Sequence, residues 1–144
     1  MTLRSAHLSD APTLAVLATQ LGYPTRSDEA EARLREVLAL PGGAVLVAED
    51  EEGSVIGWIH VFGAHRIEAA PFAEIAALVV DETRRGRGTG AALVEAAAEW
   101  AERHGFRSLR VRSNIVRERT HAFYERLGFA RSKTQVVFVK PVGP

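Results

Sequence analysis

The 144-residue sequence contains no cysteine, and this absence removes several classes of chemistry at once. Disulfide bridges, thiolate metal ligands and a cysteine nucleophile are all excluded, so any acyl transfer must avoid a cysteine-bound intermediate. The redox environment of the protein is left undetermined by the same observation.

The sequence also lacks a net charge and long apolar runs. Lysine plus arginine and aspartate plus glutamate both number 18, so no overall field draws the protein to nucleic acid or to an anionic membrane. No run of about 18 apolar residues occurs, and the first residues lack the apolar core of a signal peptide. We therefore expect a cytoplasmic protein without nucleic-acid or membrane partners. Its length predicts one domain over residues 1–144.

Hydrophobic periodicity and turn residues predict strands and helices along the whole chain. A first helix is expected to be capped by Ser9 or Asp10 and ended by Gly22, and another to run from a glycine-rich turn to Gly105. Further helices are predicted at 27–40 and 117–127, and strands at 2–8, 44–48, 55–62, 74–80, 108–111, 129–132 and 135–139. The last two strands would form a terminal hairpin, whose edges could pair across a two-fold axis in a homodimer.

The most informative stretch begins at Ala73 and reads AEIAALVVDETRRGRGTG. It predicts an apolar strand, a loop with two arginines and three glycines, and the start of a helix. A glycine-rich turn that opens a helix leaves backbone N–H groups unpaired at the positive end of the helix dipole. Glycines 86, 88 and 90 lack the Cβ that would hold an anion away, and Arg85 and Arg87 add charge. The pattern favours a pyrophosphate, although structural turns also use glycine.

Two other phosphate-binding patterns do not fit this spacing. A P-loop requires Gly-Lys-Ser/Thr after its second glycine, and Gly88-Thr89-Gly90 contains no lysine. A dinucleotide-binding fingerprint requires Gly-x-Gly-x-x-Gly, and position 91 is alanine. His60, His65 and His121 lack the spacing of metal ligands, so no metal is expected.

The remaining pattern, Arg85-x-x-Gly88-x-Gly90, resembles the signature of the GNAT superfamily of acetyl-CoA-dependent N-acetyltransferases. A second motif, HAFYERLGF from His121 to Phe129, resembles the last helix of the same superfamily. The resemblance implies a single α/β (α+β) domain whose mixed, mostly antiparallel sheet is flanked by helices. It also implies that the strands beginning near Glu74 and Ser108 diverge to admit acetyl-CoA.

The resemblance assigns roles to particular residues. Tyr124 matches the position of the acid that protonates the departing thiolate. Position 76, where relatives often carry an acid, is alanine, so Glu74 is the candidate general base. Asn114 is the asparagine nearest to one that many members carry on the last helix. The residues implied for acetyl-CoA binding are Asn114, Leu78, Val79 and Val80 for the pantetheine arm, and Arg85, Gly86, Arg87, Gly88, Thr89 and Gly90 for the pyrophosphate.

The reaction implied is direct acetyl transfer to an amine in a ternary complex. The acceptor stays open among small molecules, amino acids and peptides, since no motif marks the first two helices or the connector at 63–72. A non-catalytic acyl-CoA-binding regulator is the alternative, because it would keep the glycine turn and need neither base nor acid. A nucleotide-binding module is disfavoured by the order of the predicted elements.

Overall fold

The computed structural model describes residues 1–113 and 115–144. Its elements are β1 (Thr2–Ser5), α1 (Ala11–Leu21), α2 (Ser27–Ala39), β2 (Gly43–Glu49), β3 (Val55–Ala64), β4 (Phe72–Val80), α3 (Thr89–Arg103), β5 (Leu109–Val111) and α4 (Glu118–Arg126). Short 3-10 turns occur at Leu8–Asp10 and Glu82–Arg84. The chain divides into two compact units, Met1–Arg112 and Ser113–Pro144.

The first unit contains a five-stranded sheet in the order β1-β2-β3-β4-β5. The first four strands pair antiparallel with their neighbours, and β5 pairs parallel to β4. A parallel pair requires a crossover connection, which α3 supplies. The prediction of a mixed, mostly antiparallel sheet flanked by helices is confirmed.

Helices cover both faces of this sheet. A Cβ at Gly57 would lie 3.2 Å from Leu93 of α3, whereas Trp58 packs against a buried cluster that includes Leu14 of α1 and Leu34 of α2. Successive residues of a strand project to opposite faces, so α3 lies on one face and the α1–α2 pair on the other. The central strands therefore read as nearly continuous apolar runs, as strands buried on both faces do.

The first strand is shorter than the predicted 2–8, because an ion pair turns the chain after Ser5. Asp10 accepts two hydrogen bonds from the Arg4 guanidinium, at 2.8 and 2.9 Å, and a third from the main-chain N–H of His7 at 2.7 Å. These bonds hold residues 8–10 in a 3-10 turn that leads into α1. The Arg4 side chain also holds the pKa of the Asp10 carboxyl below its ordinary value.

The second unit contains α4, which ends at Arg126 and is followed by Gly128 in a left-handed conformation (φ 93°). The prediction of a terminal hairpin is wrong, because residues 129–144 form no strand. Two isolated strands are marginal in water and need a third strand or a packed helix to persist. The homodimer that was predicted from the edges of that hairpin therefore loses its basis.

Within the part of the chain that the structure describes, no helix is both long and apolar enough to span a membrane.

The Arg4–Asp10 contact generates a prediction about stability. Asp10→Ala should lower the free energy of unfolding at pH 7 by about 2 kcal/mol, because it leaves the His7 N–H and the Arg4 guanidinium unsatisfied. The folded-state pKa of Asp10 lies below its ordinary value of 3.8, so this stabilisation is present above that pH and is lost as the pH falls through the folded-state pKa. Urea titrations at several pH values measure the difference between parent and variant.

Asp28→Ala is the matched control, since Asp28 pairs with Arg26 in a contact whose two side chains are both 73% exposed. Water screens an ion pair as exposed as this one, so its loss should change the free energy of unfolding much less. If Asp10→Ala and Asp28→Ala lowered the free energy of unfolding equally, the ion pair at Asp10 would be no stronger than an exposed ion pair.

Candidate functional site

The edge of β4 is open along its C-terminal half. Its pairing with β5 extends only from Ala73 to Ile75, while its pairing with β3 continues to Val80. The register with β3 shifts between His60 and Val61, so Ala76 is an extra residue that bulges from the ladder at the point where β5 departs. The predicted divergence of these strands is confirmed. Leu78, Val79 and Val80 lie on the single-paired part, where main-chain groups on the β5 side have no strand partner among the described residues.

The turn that follows β4 is held in place from several sides. The Asp81 N–H donates to the carbonyl of Ile56 at 2.8 Å, and the Asp81 carboxylate accepts from the N–H and hydroxyl of Thr83 at 2.9 and 2.8 Å. These bonds order the 3-10 turn at Glu82–Arg84.

Two contacts from distant parts of the chain reach the same turn. Gln20 of α1 accepts a hydrogen bond from the Glu82 N–H at 2.9 Å through its side-chain Oε1. Arg84 donates to the Asp50 carboxylate at 3.0 Å across 34 residues of sequence. No sequence signal indicated either contact, because each joins elements that meet only after folding. The residues directly before the glycine turn are therefore held in place by hydrogen bonds.

The glycine turn presents open space in front of its backbone. Gly86 and Gly88 have φ values of 80° and 83°, in the left-handed region that favours glycine, and a Cβ built on either would meet nothing within 4 Å. Gly88 is the N-cap of α3, so N–H groups of the first helical turn are left without helical partners. Arg85 and Arg87 are exposed and form no salt bridge with any described residue. The arrangement fits an anion.

Thr89 and Gly90 occupy the first turn of α3. Thr89 is only 3% exposed, and its methyl group faces β3 near Gly57. Its contribution to a ligand is therefore limited to the main chain. The assignment of residues 85–90 to pyrophosphate binding stays a prediction that the geometry suits.

Glu74 lies at the other end of the open edge, just before the bulge. Its side chain is 15% exposed, and its Oε1 accepts a hydrogen bond from Nε of Arg112 on the chain just after β5, at 3.2 Å. Arg112 was not singled out from the sequence, since only the parallel pairing of the two strands places it there. The salt bridge holds the carboxylate in one position beside the divergence of the strands.

Two further arginines cover the neighbouring Phe72 ring. The guanidinium carbon of Arg110 lies 3.8 Å from the ring centroid and that of Arg66 lies 5.5 Å away. Stacking of this kind is typical of arginine on aromatic faces. The start of β4 is therefore a positively charged area around one carboxylate.

His60 flanks the bulge from β3, where its register partner is Ala77. It is half-buried, and this burial lowers the pKa of its imidazole. The ring is therefore neutral near pH 7 and lies 5.9 Å from the ring of Phe62. From the sequence, His60 is notable only for lacking the spacing of a metal ligand, because its place beside the bulge follows from the strand register.

Tyr124 belongs to the second compact unit and is 8% exposed. The rings of Phe123 and Phe129 pack edge-on against it, with centroids 5.0 and 5.3 Å away. Burial raises the pKa of its phenol to about 12, so the hydroxyl keeps its proton at neutral pH. The role of Tyr124 as an acid stays a prediction, and Asn114 lies outside the described residues.

A groove of about 370 Å³ runs beside the turn after β4. Its walls come from α1, the loop between α1 and α2, and the start of α2, and they carry mostly hydroxyl, amide and small apolar groups: Ala15, Val16, Thr19, Gln20, Thr25, Ser27 and Glu82. Gln20 both lines this groove and hydrogen-bonds the turn. One hydrogen bond from Glu82 to Gln20 therefore connects a wall of the groove to the 3-10 turn that precedes the glycine turn.

Three of the four acids of α2 are paired with arginines. Asp28 pairs with Arg26, and two others pair with arginines one helical turn further on, in Glu29–Arg33 and Glu31–Arg35, whereas the exposed Glu36 forms no salt bridge with a described residue. Nor do any three histidine, aspartate or glutamate side chains of the described residues gather closely enough to hold a metal ion.

Comparisons with known proteins extend over most of the chain. The family model of the acetyltransferase (GNAT) family matches residues 11–129. An uncharacterized N-acetyltransferase of Methanocaldococcus jannaschii is 40% identical over 63 residues, which are 44% of this chain and 28% of that protein. The chain therefore matches well under two thirds of that relative's length.

Solved structures share the fold over nearly their whole length. A candidate acetyltransferase from Agrobacterium tumefaciens is 30% identical, with a TM-score of 0.86 over 97% of this chain and all of that one. The aminoglycoside N-acetyltransferase AAC(6')-Iy, solved in complex with CoA, is 19% identical with a TM-score of 0.87, and the match covers 98% of this chain and 95% of the other.

Proposed function

The chain belongs to the acetyltransferase (GNAT) family, and we propose that it transfers an acetyl group from acetyl-CoA to an amine, directly in a ternary complex. The observation that carries this proposal is the continuity of two features. The open edge of β4 is followed, after the short 3-10 turn at Glu82–Arg84, by a turn with exposed glycine backbone and two arginines that form no salt bridge with a described residue. An extended ligand with amides at one end and a pyrophosphate at the other matches both.

The proposed binding mode uses main-chain groups for most contacts. Leu78, Val79 and Val80 would bind the pantetheine amides as a missing strand would, because backbone N–H and C=O groups need partners. Gly86 to Gly90 would bind the pyrophosphate through N–H groups at the start of α3, with charge from Arg85 and Arg87. The bonds to Asp50 and Gln20 would hold this turn in its binding shape beforehand.

Acetyl-CoA supplies a thioester that a neutral amine can attack. An alkylamine has a pKa near 10.4, so it needs a base at neutral pH, and Glu74 is the carboxylate beside the divergence of β4 and β5. Unpaired N–H groups of β4 are the donors for the negative charge that develops on the thioester oxygen. His60, neutral and close to the bulge, is available to pass the proton on.

Tyr124 would act on the departing thiolate. Its pKa of about 12 lies well above that of a thiol, about 8.5, so complete proton transfer from the phenol is uphill. The hydroxyl would therefore contribute chiefly as a hydrogen-bond donor whose bond strengthens as charge develops on sulfur.

The acceptor would enter through the groove between α1 and α2. Three of the four acids of α2 are already paired with arginines, so the helix gives little special attraction for polycations. Candidate acceptors to be screened are therefore small amines, amino acids and peptides. The release of CoA thiol from acetyl-CoA is measured with each of them. Binding of acetyl-CoA without turnover by any acceptor would favour a non-catalytic acyl-CoA-binding regulator.

The glycine turn is tested by Gly88→Val. The added side chain would occupy the open space in front of the turn and should weaken acetyl-CoA binding at least tenfold, measured by calorimetry. Valine at a positive φ also strains the backbone by about 1–2 kcal/mol. Gly105→Val is the control, since Gly105 has the same φ of 83° and equally open surroundings at the end of α3. Equal affinity in the two folded variants would remove the turn from the binding site.

The base is tested by Glu74→Gln. The variant should lower kcat/KM by roughly 10² to 10⁴-fold at neutral pH and approach the parent as the pH rises, because free amine then needs no base. Arg112→Gln breaks the same salt bridge but keeps the carboxylate, so it should stay within about tenfold of the parent. A Glu74→Gln profile parallel to that of the parent at every pH would assign proton removal to another group.

The acid is tested by Tyr124→Phe, which deletes only the hydroxyl. We expect kcat to fall roughly 10² to 10⁴-fold while acetyl-CoA affinity stays near the parental value, because the contact matters in the transition state. With an acetyl thioester whose thiol is a better leaving group, the fall in kcat caused by Tyr124→Phe should be smaller. Tyr23→Phe, at the other, exposed tyrosine, serves as the control. If Tyr124→Phe turned over at the parental rate, Tyr124 would serve only in packing. If the variant lost only affinity for acetyl-CoA, Tyr124 would contribute only to ground-state binding.

A further inference from the structure

Two arginines at the start of β4 have a ring as their partner instead of a carboxylate. Arg66 and Arg110 form no salt bridge with any described residue, and their guanidinium carbons lie 5.5 and 3.8 Å from the centroid of the Phe72 ring. A guanidinium that stacks on a ring uses its flat face for that contact, so the N–H donors around its edge stay available. These donors can bind a further group, and guanidinium donors match the geometry of carboxylates and phosphates.

The stacked arginines share one face of the sheet with the proposed base. Arg110 is the register partner of Glu74, and paired residues project to the same face. Phe72 precedes Glu74 by two residues, so it projects to that face as well, about 7 Å along the strand. The guanidinium over Phe72 is therefore a close neighbour of the carboxylate proposed to take the proton of the acceptor.

The charge on this part of the face is positive. Three guanidiniums, those of Arg66, Arg110 and Arg112, lie around one carboxylate, and that carboxylate is already bonded to Arg112. Glu68 belongs to the same connector as Arg66 but forms no salt bridge with a described residue. A purely cationic molecule would be repelled here, whereas one that carries a carboxylate or a phosphate would be attracted.

We propose that the amine acceptor carries an anionic group, a carboxylate or a phosphate, which binds to Arg66 and Arg110 while the amine lies at Glu74. This inference rests on the acetyl transfer proposed above and narrows the choice of its acceptor. The two binding positions are about 7 Å apart along the strand, so the amine and the anion belong to one compact molecule and are a few bonds apart. The two arginines orient the acceptor and take no part in the proton transfer.

Matched pairs of acceptors test the anionic group. β-Alanine is compared with its neutral amide, and O-phosphoethanolamine with ethanolamine, by the release of CoA thiol from acetyl-CoA. The first pair reports on a carboxylate and the second on a phosphate. In the parent, kcat/KM should be about tenfold or more higher for the anionic member of at least one pair. Equal values within both pairs would overturn the proposal and leave acetyl transfer intact.

Arg110→Gln and Arg66→Gln then locate the anion. Each should lower kcat/KM for the favoured anionic acceptor about tenfold more than for its neutral counterpart, whereas arginines that only cover Phe72 would lower both values equally. Arg107→Gln removes an exposed charge close to Arg110 in the sequence and should keep the parental preference. If Arg110→Gln fails to fold, Arg66→Gln decides the question alone, because its contact with the ring is the longer one. A parental preference in the folded variants would refute the assignment.

Calorimetry with the two anionic amines separates this inference from the proposed function. If either amine binds to the parent and not to Arg66→Gln, but no acceptor releases thiol, the anion site is retained and acetyl transfer is refuted. Thiol release with neutral amines alone would retain acetyl transfer and refute the anion site. Neither binding nor thiol release would refute both.

Discussion

The short pairing between β4 and β5 is the constraint on which the site depends. Three residue pairs join the strands, from Ala73 to Ile75, and β4 then continues for five residues with a partner on one side only. Backbone groups that lose a ladder partner must find another or remain in water. The bulge at Ala76 lies at this point of departure, and Glu74 and His60 lie on either side of it. The edge proposed to bind acetyl-CoA and the proposed base thus both result from one interruption in the sheet.

Contacts from distant parts of the chain order the 3-10 turn at Glu82–Arg84, which directly precedes the glycine turn. Asp50 holds Arg84 from the β2–β3 turn, and Gln20 holds the Glu82 N–H from α1. A turn ordered in advance loses less conformational entropy when it binds a ligand. Since Gln20 also lines the groove beside α1 and α2, an acceptor in that groove would touch a residue bonded to the turn. In the proposed complex, Gln20 would contact the acceptor and would also hydrogen-bond the turn that leads to the acetyl-CoA site.

Much of the site was predictable because its signals are local. The glycine spacing from Gly86 to Gly90 predicts a turn before a helix, and the structure confirms the turn and the start of α3 at Thr89. Gly86 and Gly88 adopt positive φ values in this turn. Arg112 was not predictable in its role, since its bond to Glu74 crosses 38 residues and depends on strand register. The terminal hairpin failed for a related reason. Its β-branched and aromatic residues favour strands, but a strand exists only where a partner edge is available.

The sequence alone determined the family resemblance, the order of the elements through α4 and the chemical character of the glycine turn. These properties depend on residue type and short spacing, which backbone sterics and helix dipoles translate directly into structure. Only the tertiary structure decided where β5 leaves β4, which arginine holds Glu74, and that three of the four acids of α2 are already paired. Those outcomes depend on which distant groups meet, and pairing between distant groups is settled by competition across the whole fold.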